Sequence, residues 1–188
     1  MKRKKVRGSP KLSDLPTVDR ESKCIAVVVE TPKGTRTKLA YDPEREAFVV
    51  KKVLPEGLSF PFDYGFIPST LGDDGDPLDV LVLMDEPVGT GAVVPSRLIG
   101  IIEATQQEKN EKPEENARLV AVSEACRLFA EVKRLADLPE SVVTQIEHFF
   151  VSYNKQDGKV FTPTGRHGPK RAMANLDTGR RKYRRQEK

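Results

Sequence analysis

Hydrophobic positions along this chain come in short β-branched runs separated by turn residues, not in helical periods. Residues 24–30 read CIAVVVE, and 35–41 and 47–53 follow, each bounded by Pro, Gly or charged clusters. Residues 80–84, 92–104 and 118–123 continue the pattern, punctuated by Pro87, Gly89, Gly91 and Pro113. Six short strands with almost no helix between them predict a closed β barrel in preference to a doubly wound parallel sheet. One segment changes period. Val142, Val143, Ile146, Phe149, Phe150 and Tyr153 recur every three or four residues, which places them on one face of a helix expected over 137–153 and docked on the barrel. Asp137 and Glu140 form a capping-box-like start for it, with Pro139 in the first turn. A weaker helical stretch is expected over 123–135. The fold class is therefore α+β, mainly β, with one or two helices packed outside a barrel.

Charge divides the chain. Six basic side chains and no acid occupy residues 1–11, and nine basic side chains against Asp177 and Glu187 occupy residues 166–188; set against the formal +4, these leave residues 12–165 at −9. The basic ends read as solvated arms, and the acidic middle suits a cation-dependent site. With 188 residues, one core plus tails is expected: a basic, disordered arm at 1–20, a barrel domain at 21–160 and a basic tail at 161–188. Residues 162–170 (TPTGRHGPK) mix Gly with basic side chains without the order of a P-loop, and read as a flexible linker. No apolar run approaches the roughly 18 residues that span a bilayer, and no apolar stretch follows the basic N-terminus, so a cytoplasmic protein without membrane partners is expected. Cys24 and Cys126 are too few for a disulfide framework and read as buried free thiols, and His148 and His167 lack zinc spacing.

The sharpest chemical feature is Asp73-Asp74-Gly75-Asp76-Pro77-Leu78-Asp79, four carboxylates in seven residues, followed at once by the apolar run VLVL. Such crowding of like charge is costly unless a cation compensates it. In an extended segment Asp74 and Asp76 point to the same side, Gly75 permits a tight backbone, Pro77 fixes its own φ, and Asp79 stands at the mouth of a strand. Oxygen ligands of this kind suit Mg²⁺, which bridges readily to phosphates. A solvated acidic turn is the plain alternative. An EF-hand is excluded, because a strand follows and the sixth position from Asp74 is Asp79 where that loop needs Gly.

Asp74-Gly75-Asp76-Pro77-Leu78-Asp79-Val80 matches at every position the Asp-x-Asp-Pro-hydrophobic-Asp-hydrophobic signature of the soluble family I inorganic pyrophosphatases. The chain resembles that family from about residue 24 to residue 155, through Glu30-Thr31-Pro32, the stretch FPFDYGFIP at 60–68 and HFFVSY at 148–153. The resemblance implies a five-stranded barrel of the oligonucleotide-binding (OB) type with helices outside. It also implies a homo-oligomer that hydrolyses inorganic diphosphate to two phosphates through Mg²⁺-activated water. Carried over by position, Asp74, Asp76 and Asp79 look like the metal-binding trio, with Asp76 also receiving the proton of the attacking water and Glu30 as a further acidic metal position. Lys38 and Lys52 match cations that grip phosphate and act in catalysis, Arg118 another substrate-binding cation, Tyr64 a catalytic tyrosine beside the metals, and Tyr153 a phosphate-binding hydroxyl.

The chain also departs from the family's pattern. Lys38-Leu39-Ala40 stands where the family usually has Lys-x-Glu, Lys52 where it has Arg, and Tyr153-Asn154 where it has Tyr-Lys. The family's loop after the long strand supplies two metal-binding aspartates and a lysine; here the corresponding positions are Gln106, Asn116 and Arg118, with Glu108, Glu111, Glu114 and Glu115 crowded beside them. Three readings stay open from sequence: a diphosphatase, a weak relative acting on another phosphoanhydride, and a non-catalytic barrel that binds phosphate or, through its basic tails, nucleic acid.

Overall fold

The apolar runs lack alternation because both faces of the central strands are buried. In the computed structural model, which describes residues 11–186, the chain runs β1 (Ile25–Thr31), β2 (Thr37–Asp42), β3 (Ala47–Val53), β4 (Asp63–Phe66), β5 (Asp79–Leu83), β6 (Val93–Gln107), β7 (Glu114–Glu115), β8 (Arg118–Ser123), α1 (Glu140–Lys155), β9 (Val160–His167) and α2 (Pro169–Gln186). Leu81 and Leu83 of β5 with Val120 and Val122 of β8 feed one core, closed over by Val143, Ile146, Phe149 and Phe150 of α1. Val80, Val82, Leu119 and Ala121, the alternate residues of the same strands, feed a second core that includes Ala172 and Leu176 of α2.

β1 pairs with β4, β4 with β5, β5 with β8, β8 with β6, and β6 closes back onto β1. Only the β5–β8 junction is parallel. The result is the expected five-stranded OB-type barrel. β2 and β3 form a separate two-stranded hairpin with a register shift at Lys38/Leu39. Both cysteines are free, Cys126 buried and Cys24 half-buried.

Five expectations are corrected. The basic tail is not a tail: β9 pairs along β6 from Ile101↔His167 to Gln107↔Val160, and α2 follows with Ala172, Leu176 and Gly179 buried. The supposed linker 162–170 is most of that strand and the start of that helix. Pro163 disguised the strand, and it is tolerated because β9 is paired with β6 alone, with a register shift at Glu103/Ala104 opposite Pro163. At the other end, residues 11–20 belong to the domain: Thr17 Oγ1 donates to Pro68 O at 3.0 Å, and Ser69 N donates to Ser13 O at 2.7 Å. Residues 1–10 of the expected arm lie outside the described residues.

The expected helix over 123–135 is a series of turns ending in a 3-10 helix at Leu135–Asp137. Asp137 caps that turn, accepting from Arg134 N at 2.9 Å and Lys133 N at 3.1 Å, so α1 starts three residues later than expected, with Pro139 at its N-cap.

Candidate active site

Between the β2–β3 hairpin, the barrel mouth and the C-terminal end of α1 lies a cavity of about 510 Å³. Glu30, Lys38, Tyr64, Asp74, Asp76, Asp79, Arg118 and Tyr153 all line it, so the fold gathers sequence-distant residues onto one surface.

The acidic loop is held from several sides. Gly75 takes φ +86°, open to glycine at little cost. Gly72 N donates to Asp76 O at 2.7 Å, Asp76 N to Asp74 Oδ1 at 3.1 Å, and Leu78 N to Thr70 Oγ1 at 3.0 Å. The loop's outer side rests on α2, where Leu71 N donates to Gly179 O at 3.1 Å and Lys182 is paired with Asp73. Gly179 allows the close approach, since a Cβ would stand 2.7 Å from Leu78 Cδ1 and that side chain would have to shift.

Asp79 opens β5 and Arg118 opens β8, its parallel neighbour, so both project from the same end of adjacent strands. Their ion pair measures 2.9 Å, with Arg118 almost wholly buried. Arg118 also donates to Asn116 Oδ1, and Asn116 Nδ2 donates to Gln106 Oε1 at 3.0 Å. Arg118 Nε is buried without a partner among the described residues. Tyr64, on β4, is buried beside Asp79; burial first, then the charge of Asp79, holds its hydroxyl well above the ordinary range of a tyrosine.

Glu30 is buried near the end of β1, where Oε1 accepts from Tyr41 N at 2.7 Å. Burial pushes its carboxyl up to about 7, opposed by that hydrogen bond and Lys38 and reinforced by Asp79 and Asp76. Asp76 is also raised, by burial first and then by Asp74 and Asp79, against the opposing charges of Lys38 and Lys51. Lys38 Nζ lies 5.0 Å from the Tyr64 ring centre and 5.6 Å from that of Tyr153.

Lys52 is placed differently from its neighbours. It is not among the cavity's lining residues; it sits 3.5 Å from the Tyr153 ring centre, paired with Asp157. Lys51 lines the cavity instead. Sequence reasoning missed Lys51 because the hairpin's register shift reassigns which lysine of β3 faces inward, and that shift has no signature in residue type. Lys112, Lys159 and Asp157 also line the cavity unforeseen, and Glu108, Glu111, Glu114 and Glu115, the glutamates noted beside Gln106, line it as well.

Among the described residues no three His, Cys, Asp or Glu groups form a preformed metal cluster. The donors are nonetheless all hard oxygens, and the mutual repulsion that raises Asp76 is what a divalent cation relieves. By donor chemistry the residues fit such an ion.

Comparison with known proteins places this geometry. The sequence model described as inorganic pyrophosphatase matches residues 27–184, and so takes in β9 and α2. The inorganic pyrophosphatase of Thermus thermophilus is 37% identical over 148 residues, 79% of this chain and 82% of that protein. That of Sulfolobus acidocaldarius is 38% identical over 144 residues, covering 75% and 80%. A crystal structure of the Thermus thermophilus inorganic pyrophosphatase superimposes with a TM-score of 0.83 at 34% identity, covering 93% of this chain and 99% of that one.

Proposed function

The chain belongs to the inorganic pyrophosphatase family, and we propose that it hydrolyses inorganic diphosphate to two phosphates with Mg²⁺ held by Asp74, Asp76, Asp79 and Glu30. One observation carries this reading: carboxylates that can hold metal and cations that can hold phosphate line the same 510 Å³ cavity. A tetra-anionic substrate needs both, since water reaches phosphorus only once the phosphoryl charge is neutralised. Mg²⁺ bound there supplies a strong local positive charge and a water acidic enough to give hydroxide near neutral pH.

The chain's own groups do the rest. Asp76, whose carboxyl is raised by burial and its acidic neighbours, accepts the proton of the attacking water. Lys38, Lys51 and Arg118 neutralise the phosphoryl oxygens. Lys52 acts one step back, fixing the Tyr153 ring from the side of Asp157. Tyr153, whose hydroxyl burial keeps protonated, donates a hydrogen bond to the product phosphate. Tyr64, buried beside Asp79, stands next to the metal-binding carboxylates.

The same reading has the chain working in the cytoplasm as a homo-oligomer that docks through the outer barrel face and α1. No helix among the described residues is long and apolar enough to cross a membrane. The decisive experiment is phosphate release from diphosphate with Mg²⁺ and with chelator. Turnover that depends on the metal is expected; equal release in both, or none from folded protein, would remove the enzyme reading. Sedimentation showing only a 21.0 kDa species at micromolar concentration would remove the oligomer.

A further inference from the structure

The contacts that fix Arg118 gather at one corner of its guanidinium. Nη1 carries the ion pair to Asp79 at 2.9 Å, a hydrogen bond to Asn116 Oδ1 and another to Ala117 O at 3.1 Å. The group also stands over two aromatic rings, with Cζ 5.1 Å from the ring centre of Phe150 and 5.7 Å from that of Phe161. Its other edge is idle. Among the described residues Nε has no partner and Nη2 donates no hydrogen bond, although the side chain is almost wholly buried and lines the cavity. A buried charged donor left without an acceptor is costly, and an oxyanion in the cavity would relieve it.

The acceptor at that corner is itself fixed. Asn116 Nδ2 donates to Gln106 Oε1 at 3.0 Å, and Asn116 N donates to Ala104 O at 2.9 Å. Gln106 lies in β6, where it pairs with Glu114 of β7, so the backbone ladder sets the separation of the two amides. Both side chains are neutral. A carboxylate at position 116 would join Asp79 in cancelling the guanidinium's charge, whereas an amide oxygen accepts the hydrogen bond and leaves that charge for a ligand. It also balances the pull of Asp79 on Nη1.

We infer that Gln106 and Asn116 are positioning residues that act in series: Gln106 fixes Asn116, Asn116 fixes Arg118, and the idle edge of Arg118, Nε with Nη2, receives the oxygens of a phosphoryl group. A planar fork matches two phosphate oxygens only when its plane is held, and holding it beforehand removes an ordering cost from binding. The arginine's charge is permanent. Phosphate therefore binds at this edge without a divalent cation. The identity of the substrate rests on the diphosphatase reading, while capture of a phosphoryl oxyanion does not depend on turnover.

Calorimetric titration of the full chain with inorganic phosphate in chelator tests this. Saturable binding by the wild type is expected. Asn116→Ala and Gln106→Ala should each bind phosphate about three- to tenfold more weakly, the scale of one hydrogen bond to a charged group, although neither removes a charge. Acting in series, the double variant should bind no more weakly than Asn116→Ala alone. Arg118→Lys, which keeps the charge and loses the fork, should bind about tenfold more weakly, and in that background Asn116→Ala should change affinity by less than about twofold. With Mg²⁺ present, KM for diphosphate should rise in both single variants by a larger factor than kcat falls. A pair that only braces the fold would lower the unfolding midpoint and leave phosphate affinity alone. Should Arg118→Lys fail to fold by circular dichroism, the comparison of the two single amide variants with their double decides the matter. No phosphate binding by the wild type in chelator, unchanged affinity in the amide variants, or additive losses in the double variant would each overturn the inference. Phosphate binding in the expected pattern without any diphosphate turnover would strike only the enzyme reading.

Discussion

Arg118 Nη1 stands 2.9 Å from Asp79 Oδ2, so an almost fully buried guanidinium is tied to one of the carboxylates assigned to metal. Altering either residue alone leaves the other's charge unpaired. Removing one member of a buried pair leaves an uncompensated charge at about 3–5 kcal/mol, and the partial exposure of Asp79 brings the expected loss for Asp79→Asn to about 2–3 kcal/mol in denaturant unfolding. Its turnover should fall on the order of 10²-fold or more. Asp76→Asn should lose as much turnover with little loss of stability, having no ion pair to break among the described residues. Near-normal phosphate release by both variants would place the metal site elsewhere.

The wall beside Arg118 is neutral where Asn116 donates to Gln106 at 3.0 Å. The Gln106→Asp/Asn116→Asp double variant adds two carboxylates there. It should lower the Mg²⁺ concentration for half-maximal turnover, and in chelator it should unfold more easily because the new acids repel each other. Titrating activity and unfolding midpoint with Mg²⁺ reads both. An unchanged Mg²⁺ requirement would mean that the glutamates at 108, 111, 114 and 115, which line the same cavity, already supply the charge.

Glu30 makes a pH prediction with a definite sign. Its carboxyl is raised by burial from 4.5 to about 7, so between those values the folded chain holds a proton that the unfolded chain has released. The stability it contributes is complete below about pH 4.5 and is lost as pH rises through about 7. In chelator, the wild type should therefore lose up to about 3 kcal/mol from this group across that window. Glu30→Gln should lack that component. Urea midpoints in EDTA buffers over the range decide it, and parallel curves for the two proteins would count against a buried, proton-binding Glu30.

Gly65 lies in β4 where β1 passes so closely that a Cβ would fall 2.0 Å from the Val28 carbonyl oxygen. Backbone cannot yield there without opening the barrel. Gly65→Ala should cost more than about 4 kcal/mol and appear as insoluble protein, whereas Gly89→Ala, with nothing within 4 Å of the new methyl, should stay within about 0.5 kcal/mol. Solubility and thermal midpoints of the pair separate the two cases.

The barrel was legible because its strands are buried on both faces, which leaves runs such as Val80–Leu83 unmistakably apolar, and because α1 keeps a wide aromatic stripe. β9 was not legible, since pairing with β6 alone let it keep Pro163 and polar side chains. α2 hid for a related reason: a narrow stripe of Ala172, Leu176 and Gly179 suffices to seat it, and seven basic residues dominate the rest. In the site, the aspartate motif carried its own chemistry in its spacing. The choice between Lys51 and Lys52 rests on a backbone irregularity opposite them, which residue types do not encode.

β6 is paired on both edges at Ile101 and Ile102, to Leu119 and Arg118 of β8 on one edge and to His167 and Arg166 of β9 on the other. During synthesis these two partners arrive at different times. All five strands of the ring are available once residue 123 has left the ribosome, while the cover for the second half of β6 is still to be translated. Until residues 160–167 emerge, a nascent chain with a closed ring presents an open edge along residues 101–107, the kind of surface that recruits other strands. Growing chains of this protein are thus most exposed to aggregation late in translation, after the ring can close and before β9 arrives.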